Sequence, residues 1–242
     1  MDNVIRVLSY NLRSGRRMSG ELDIAGTVSA ICRIAPDIAG LQEVRIWKDL
    51  PAGEGDMPVL LGEGTGMASF FGRTLDRETF EYGIGALSRF PAELVEVLFL
   101  PQPATSEQRA VIVLKITAAE KTFYLVNTHL VFERELDHVR VDQMRAITAL
   151  LKEKSYYPAI LTGDFNATPG SPCLGVLKQE NWQIADMTPL TFPADQPRHR
   201  IDYIAWYPAE SFCLKDFCVV NEPAASDHRP VLAELMFAGN QG

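Results

Sequence analysis

Cysteine and histidine are scarce in this sequence, with four of each among 242 residues. Cys32, Cys173, Cys213 and Cys218 show no zinc-ligand spacing and are too few for a disulfide framework, so a reducing, cytoplasmic setting is expected. Positive charge is also short. The 23 Lys and Arg against 31 Asp and Glu leave a net charge of −8. This argues against a generally basic nucleic-acid surface, because duplex binding draws its affinity from cations neutralising phosphates. Nucleic acid remains possible only through a local basic mouth.

No apolar run is long enough to span a bilayer, and the N-terminus enters a strand-like run without a signal peptide's charged and apolar regions. Linkers rich in Pro, Gly or Ser, charge blocks and internal repeats are missing too, so a single domain over residues 1–242 is expected. No helical pattern carries a sustained heptad seam, which predicts a monomer. Gly62, Gly64 and Gly66 lack the lysine of a Walker loop, and there is no Gly-x-Ser-x-Gly elbow.

What is present is a mixed pattern of many short strands and few helices. Val4 to Tyr10 reads as a strand ending at Asn11, and Ala25, Val28, Ile31 and Ala35 recur at helical spacing until Pro36. A strand over Ile38 to Val44 places Glu43 at its end. Further strands are expected near Tyr82 to Leu87, Leu94 to Leu100, Ala110 to Ile116, Phe123 to Leu130, Ala159 to Thr162, Ile201 to Trp206 and Val231 to Phe237. Leu136, Val139, Met144, Ile147 and Leu151 mark an amphipathic helix, and a short helical segment lies near Leu174 to Lys178. The class is α/β or α+β.

Polar residues collect where these strands end. Gly163-Asp164-Phe165-Asn166 follows an apolar run, and an extended backbone there would point Asp164 and Asn166 to one side, able to hold water and phosphate. A plain Gly/Asn/Pro turn is the other reading. Glu43 sits among apolar residues where an unpaired carboxylate is costly, so it is either a solvent-facing strand end or a cation ligand. Asn11, Glu43 and Asp227 together form an all-oxygen set suited to Mg²⁺ or Mn²⁺.

His129 and His228 each stand in a polar triplet at a strand end, where an imidazole can bond phosphate oxygens or transfer protons; His138 and His199 read as structural. Asp202, inside an apolar strand, needs a partner. Either His228 or backbone amides would serve. Arg13, Arg16, Arg17, Arg45, Arg200 and Arg229 are either a cationic mouth or scattered surface charges.

Taken in order from Asn11 to Pro230, these segments resemble the endonuclease/exonuclease/phosphatase superfamily, most specifically through Gly163-Asp164-Phe165-Asn166 with Ser226-Asp227-His228-Arg229-Pro230. The resemblance implies a four-layered sandwich, with two mainly antiparallel sheets face to face, helices outside and a site at one end. It implies that Glu43 is the principal metal ligand, with Asn11 and Asp227 on the metal side. Asp164 and Asn166 would orient water and phosphate, His129 would contact phosphate, and His228 paired with Asp202 would act as base or transition-state stabiliser. Tyr82 and Arg109 look like substrate-side residues of some members.

The expected activity is divalent-metal-dependent hydrolysis of a phosphoester, a small molecule or lipid headgroup being favoured. A nuclease is the alternative, and a non-catalytic binding protein on the same fold the more distant one.

Overall fold

The computed structural model describes residues 4–51 and 53–238. Along the chain run β1 (Val4–Asn11), α1 (Ile24–Ile34), β2 (Ile38–Trp47), α2 (Met57–Thr65), β3 (Ala68–Asp76), β4 (Phe80–Ser88), β5 (Ala92–Phe99), β6 (Ala110–Ala118) and β7 (Lys121–His129). Then come α3 (Asp137–Lys154), β8 (Ala159–Asp164), α4 (Pro172–Gln179), β9 (Gln183–Ile184), β10 (Asp202–Tyr207), β11 (Phe212–Val219) and β12 (Val231–Phe237).

The strands form two six-stranded sheets, ordered β11-β12-β1-β2-β4-β3 and β5-β6-β7-β8-β10-β9. Each sheet is mixed: only its central pair is parallel, β1 with β2 and β7 with β8, and its other neighbours run antiparallel. A parallel pair needs a crossover, which α1 and α3 supply. The two sheets therefore repeat one topology although the sequence shows no repeat. Strand direction also delivers the C-terminal ends of each central pair to a common edge of its sheet.

Three apolar clusters hold the layers. Ile5, Val7, Ile38, Ile112, Leu114, Phe123, Ile204 and Leu235 fill the space between the sheets. Val111, Val113, Val126 and Leu161 face Met144, Ile147 and Leu151 of α3 and Leu174 of α4. Leu8, Tyr10 and Leu41 face Ile31 of α1 and Leu61 of α2. Neighbours such as Ile112 and Val113 thus point to different layers, as a period of two requires. Central strands buried on both faces read as continuous apolar runs for the same reason.

Helix ends follow local chemistry. Asp23 caps α1 by accepting from the Gly26 amide, and Ala35 takes a left-handed conformation before Pro36. No helix among the described residues is long and apolar enough to cross a membrane.

Between the sheets, beneath the end where the polar triplets meet, lies a buried polar tie. Asn127 Nδ2 donates to the carbonyls of Leu41 and Gly85 at 2.8 and 2.9 Å, while Gln42 Nε2 and Thr162 Oγ1 donate to Asn127 Oδ1 at 2.7 and 3.1 Å. Leu41 and Gly85 are the pair at which a bulge interrupts the β2–β4 ladder. The Asn127 amide serves carbonyls there.

Gly40 makes room for this arrangement. A Cβ on it would sit 1.9 Å from Thr162 Oγ1 and 2.7 Å from Asn127 Oδ1. Gly40→Ala is expected to destabilise the protein by about 2–3 kcal/mol through forced overpacking, read as a lower urea midpoint with unchanged slope.

Candidate active site

Asn11, Glu43, Tyr82, Arg109, His129, Asp164, Asn166, Asp202, Asp227 and His228 gather at one end of the sandwich. Asn11 closes β1, His129 closes β7 and Asp164 closes β8, with His129 and Asp164 directly opposite each other in register. Asp202 opens β10, rather than lying inside a strand as expected, and is itself in register with Asp164 across an antiparallel pair. Asp227 and His228 belong to the loop before β12. That loop is tied down by Ser226, whose hydroxyl donates to the Asn11 carbonyl at 2.7 Å. A cavity of about 340 Å³ joins Glu43, Tyr82, Arg109, His129, Asp164, Asn166, Asp227 and His228 on its walls.

Two local geometries correct the sequence expectation. Glu43 is not at a strand end, because β2 continues to Trp47; it occupies the bulge between Leu41 and Val44 with φ of 56°. A left-handed glutamate is strained, and the bulge re-aims its side chain toward the cavity. Asp164 and Asn166 do not share a side through an extended backbone either, since Asn166 has φ of 49°. They meet in the cavity because Asp164 Oδ1 accepts the Asn166 amide at 2.9 Å, a tight turn closed by the carboxylate.

Asp164 is the hub. Its Oδ2 lies 3.1 Å from Asn11 Nδ2, 3.4 Å from His129 Nε2 and 3.7 Å from His228 Nε2. Burial, with the Asp202 carboxylate next, pushes the Asp164 carboxyl up, against the opposing pull of His228 and its hydrogen bonds.

His228 Nδ1 lies 3.0 and 3.1 Å from the two Asp202 carboxylate oxygens, so Nδ1 carries a hydrogen and the pairing with backbone amides gives way to His228. Burial would lower this imidazole's pKa, but the Asp202 and Asp164 carboxylates beside it win and raise it. Phe192 packs on the ring with centroids 4.7 Å apart.

His129 is its opposite. Arg109 Nη1 sits 3.1 Å from His129 Nδ1, both residues being buried. A guanidinium only donates, so Nδ1 is the lone-pair nitrogen and Nε2 carries the hydrogen that faces Asp164 Oδ2. Burial first, then Arg109 and His228, hold this ring well below the ordinary histidine pKa. The pair of imidazoles is thus divided between a neutral donor and a ring favouring the charged form.

Replacing Arg109 by Met is expected to raise the His129 pKa in part, burial still holding it below the ordinary histidine value. Its ring NMR signals should then titrate at a higher pH in the variant than in the wild type.

Asn11 turns its amide nitrogen, rather than its oxygen, to the acids of the site. Its Oδ1 accepts the Arg13 amide at 3.0 Å, and its Nδ2 donates to Glu43 Oε1 and Asp164 Oδ2, both at 3.1 Å. Asp227 leans on Arg13 Nε at 3.2 Å. Among the described residues, the potential ligand atoms of His, Cys, Asp and Glu that gather within 4.8 Å of one another are those of Asp164, Asp202 and His228. Histidine–carboxylate hydrogen bonding already accounts for that cluster. Glu43 and Asp227 are the remaining acids, with Glu107, on the cavity wall. Their oxygen chemistry fits a hard divalent cation.

The cationic mouth does not assemble as six arginines. Arg200 is buried and donates to the Pro189 carbonyl, Arg229 and Arg16 donate to the Ala194 and Gly20 carbonyls, and Arg17 pairs with Asp23. Arg45 alone of the six lines the cavity.

Glu107, Phe132 and Phe192 also line it and escaped the sequence reading. Glu107 lies 2.7 Å from Arg109, and burial pushes its carboxyl up. Its place two residues before Arg109 is the one signal the sequence offers for it; the two phenylalanines have none.

A family model described as the Endonuclease/Exonuclease/phosphatase family matches residues 8–228. No curated protein matches significantly. Among solved structures, an endonuclease/exonuclease/phosphatase from Beutenbergia cavernae aligns with a TM-score of 0.77 and 21% identity, covering 98% of this chain and 72% of that one. The catalytic domain of human Nocturnin with bound sulfate aligns with a TM-score of 0.73 and 18% identity, over 98% of this chain and 96% of that one. A mannosyl-6-phosphatase from Bacteroides thetaiotaomicron aligns with a TM-score of 0.73 and 19% identity, over 96% of this chain and all of that one. At such identities the likeness establishes the deoxyribonuclease I-like fold.

Proposed function

The chain belongs to the endonuclease/exonuclease/phosphatase family, and from that premise we propose that it is a phosphoester hydrolase of small-molecule or lipid-headgroup phosphates, assisted by Mg²⁺ or Mn²⁺. The observation that carries this reading is the meeting of Asp164 Oδ2 with Asn11, His129 and His228 in one cavity that also holds Glu43 and Asp227.

The chain's own groups divide the work by their hydrogen bonds. Asp164, a carboxylate raised toward neutrality by burial and Asp202, orients a water and takes its proton as the water oxygen attacks phosphorus in line. His129, whose Nε2 lies 3.4 Å from Asp164 Oδ2, donates that nitrogen's hydrogen to a phosphate oxygen once substrate enters the cavity. As a neutral ring fixed by Arg109, it needs no proton from bulk solvent. His228, kept positive by Asp202, stabilises charge as it builds on the phosphoryl oxygens. Asn11 holds Glu43 and Asp164 in place, and Asn166 lines the phosphate side of the turn.

A divalent cation, when bound by Glu43 and Asp227, supplies charge neutralisation for the phosphate and the leaving oxygen. Glu43→Gln is expected to raise the Mg²⁺ concentration for half-maximal activity by about 10-fold or more, because one full charge leaves the ligand set. Titrating activity against Mg²⁺ checks this.

A cytoplasmic location, which the four free cysteines fit, is part of the proposal, as are a monomer and a single domain over residues 1–242. The test of the activity is a panel of p-nitrophenyl phosphate, bis-p-nitrophenyl phosphate, sphingomyelin and plasmid DNA with Mg²⁺. Hydrolysis of one of the first three, with plasmid left intact, is expected. Preferred cleavage of plasmid would make the protein a nuclease, and no hydrolysis of any would leave it a binding protein.

A further inference from the structure

Arg45 is the cation of the site that the mechanism leaves unused. It lies on β2 two residues beyond Glu43, roughly 7 Å of strand away, and is the cross-strand partner of Tyr82 on β4. Its guanidinium rests against the rings of Phe80, Trp47 and Tyr82, at 4.1, 4.5 and 5.5 Å from their centroids. Among the described residues no carboxylate lies within 4 Å of it and no hydrogen bond uses its side chain; its Nε is shielded from solvent without a partner. The other cavity arginine, Arg109, is committed to His129 and Glu107.

A planar cation stacked on three rings has lost much of its freedom before any ligand arrives, and its fork of N–H donors matches the oxygens of a phosphate. The groups that handle the reacting phosphate, namely His129, Asp164 and His228, come from the second sheet and the C-terminal loop. Arg45 stands on the first sheet, two residues past Glu43, and lines the same cavity.

Building on the phosphoesterase reading, we infer that Arg45 binds a second anionic group of the substrate, so that the preferred substrates are compact molecules bearing a further phosphate beside the one cleaved. A nucleic-acid strand fits less well. Among the described residues only one unpaired arginine faces the cavity, Glu43 and Glu107 line it too, and the chain carries a net charge of −8. A polyanion gains its affinity from many cations, whereas one guanidinium reads one extra group.

Matched pairs separate this role from simple packing. With wild type and Arg45→Met, phosphate release from fructose bisphosphate and from fructose monophosphate is measured with Mg²⁺, a short thymidine oligonucleotide being assayed alongside. The expected result is a fall in kcat/KM of about 10–100-fold on the bisphosphate, the loss of one charge-assisted contact, and a change within about 3-fold on the monophosphate. Arg45→Lys should recover part of the preference, keeping the charge but not the fork.

An equal fall on both substrates, together with a lower melting temperature, would reduce Arg45 to a packing residue. Arg45-dependent cleavage of the oligonucleotide above the bisphosphate would replace the small-molecule assignment. If the wild type hydrolysed neither sugar phosphate nor any substrate of the panel above, the phosphoesterase reading would fail on its own. Calorimetric binding of inorganic pyrophosphate against inorganic phosphate would still decide on Arg45: a pyrophosphate preference lost in Arg45→Met supports it, and identical binding by both proteins overturns it.

Discussion

Asp164→Asn is expected to lower kcat/KM by about 10³-fold or more while leaving the fold in place. Asparagine has nearly the same shape, and its carbonyl oxygen can still accept the Asn166 amide that closes the turn. What it cannot do is accept a proton from water. It also places an amide where Asn11, His129 and His228 now point donors at a carboxylate oxygen. The relieved desolvation of a buried carboxylate with a raised pKa offsets part of the acceptor these donors lose, so stability should fall only modestly while turnover collapses. A urea melt and a steady-state assay on the same preparation separate the two effects.

His228→Gln should cost about 10²–10⁴-fold in kcat/KM, and for a different reason. The Asp202 carboxylate opposite would lose its charged partner while remaining completely buried. Unlike Asp164→Asn, this change is therefore expected to destabilise the protein, by about 3 kcal/mol. Asp202→Asn together with His228→Gln should regain much of that stability with no return of activity, since the uncompensated charge is gone but the donor is still missing. A double-mutant cycle in stability and in rate measures the difference.

Much of this site was legible because strand ends and polar triplets coincide in the sequence. The parallel pairs β1/β2 and β7/β8 then bring Asn11, His129 and Asp164 to common sheet edges. The pairing of Asp202 with His228 was open between two partners, and packing chose the imidazole. Glu43 shows the limit. A period-two reading has no place for a left-handed glutamate in a bulge, so it ends the strand at Val44, three residues short of Trp47, although Glu43 still faces the cavity.

Asn11 was assigned by residue type. Which end of its amide faces the site depends on the Arg13 backbone, which no side-chain pattern reports.

Among the elements, α2 was hidden by Gly62, Gly64 and Gly66, residues with poor helix propensity. Gly64 is there for contact: a Cβ would lie 2.4 Å from Val28 on α1. β3 and β11 lie at sheet edges, where half-exposed strands mix polar and apolar residues and dilute the apolar-run signal used for central strands. Arg45 was one of six arginines near motifs, and only the stack of Trp47, Phe80 and Tyr82 from two strands sets it apart.

The source of the attacking oxygen can be read directly. Under single-turnover conditions, with enzyme in excess over p-nitrophenyl phosphate in water enriched in heavy oxygen, the phosphate released by the wild type should carry one solvent oxygen from the first turnover, as attack by water beside Asp164 requires. Phosphate whose new oxygen is unlabelled in that first turnover, and comes instead from a protein carboxylate, would contradict it.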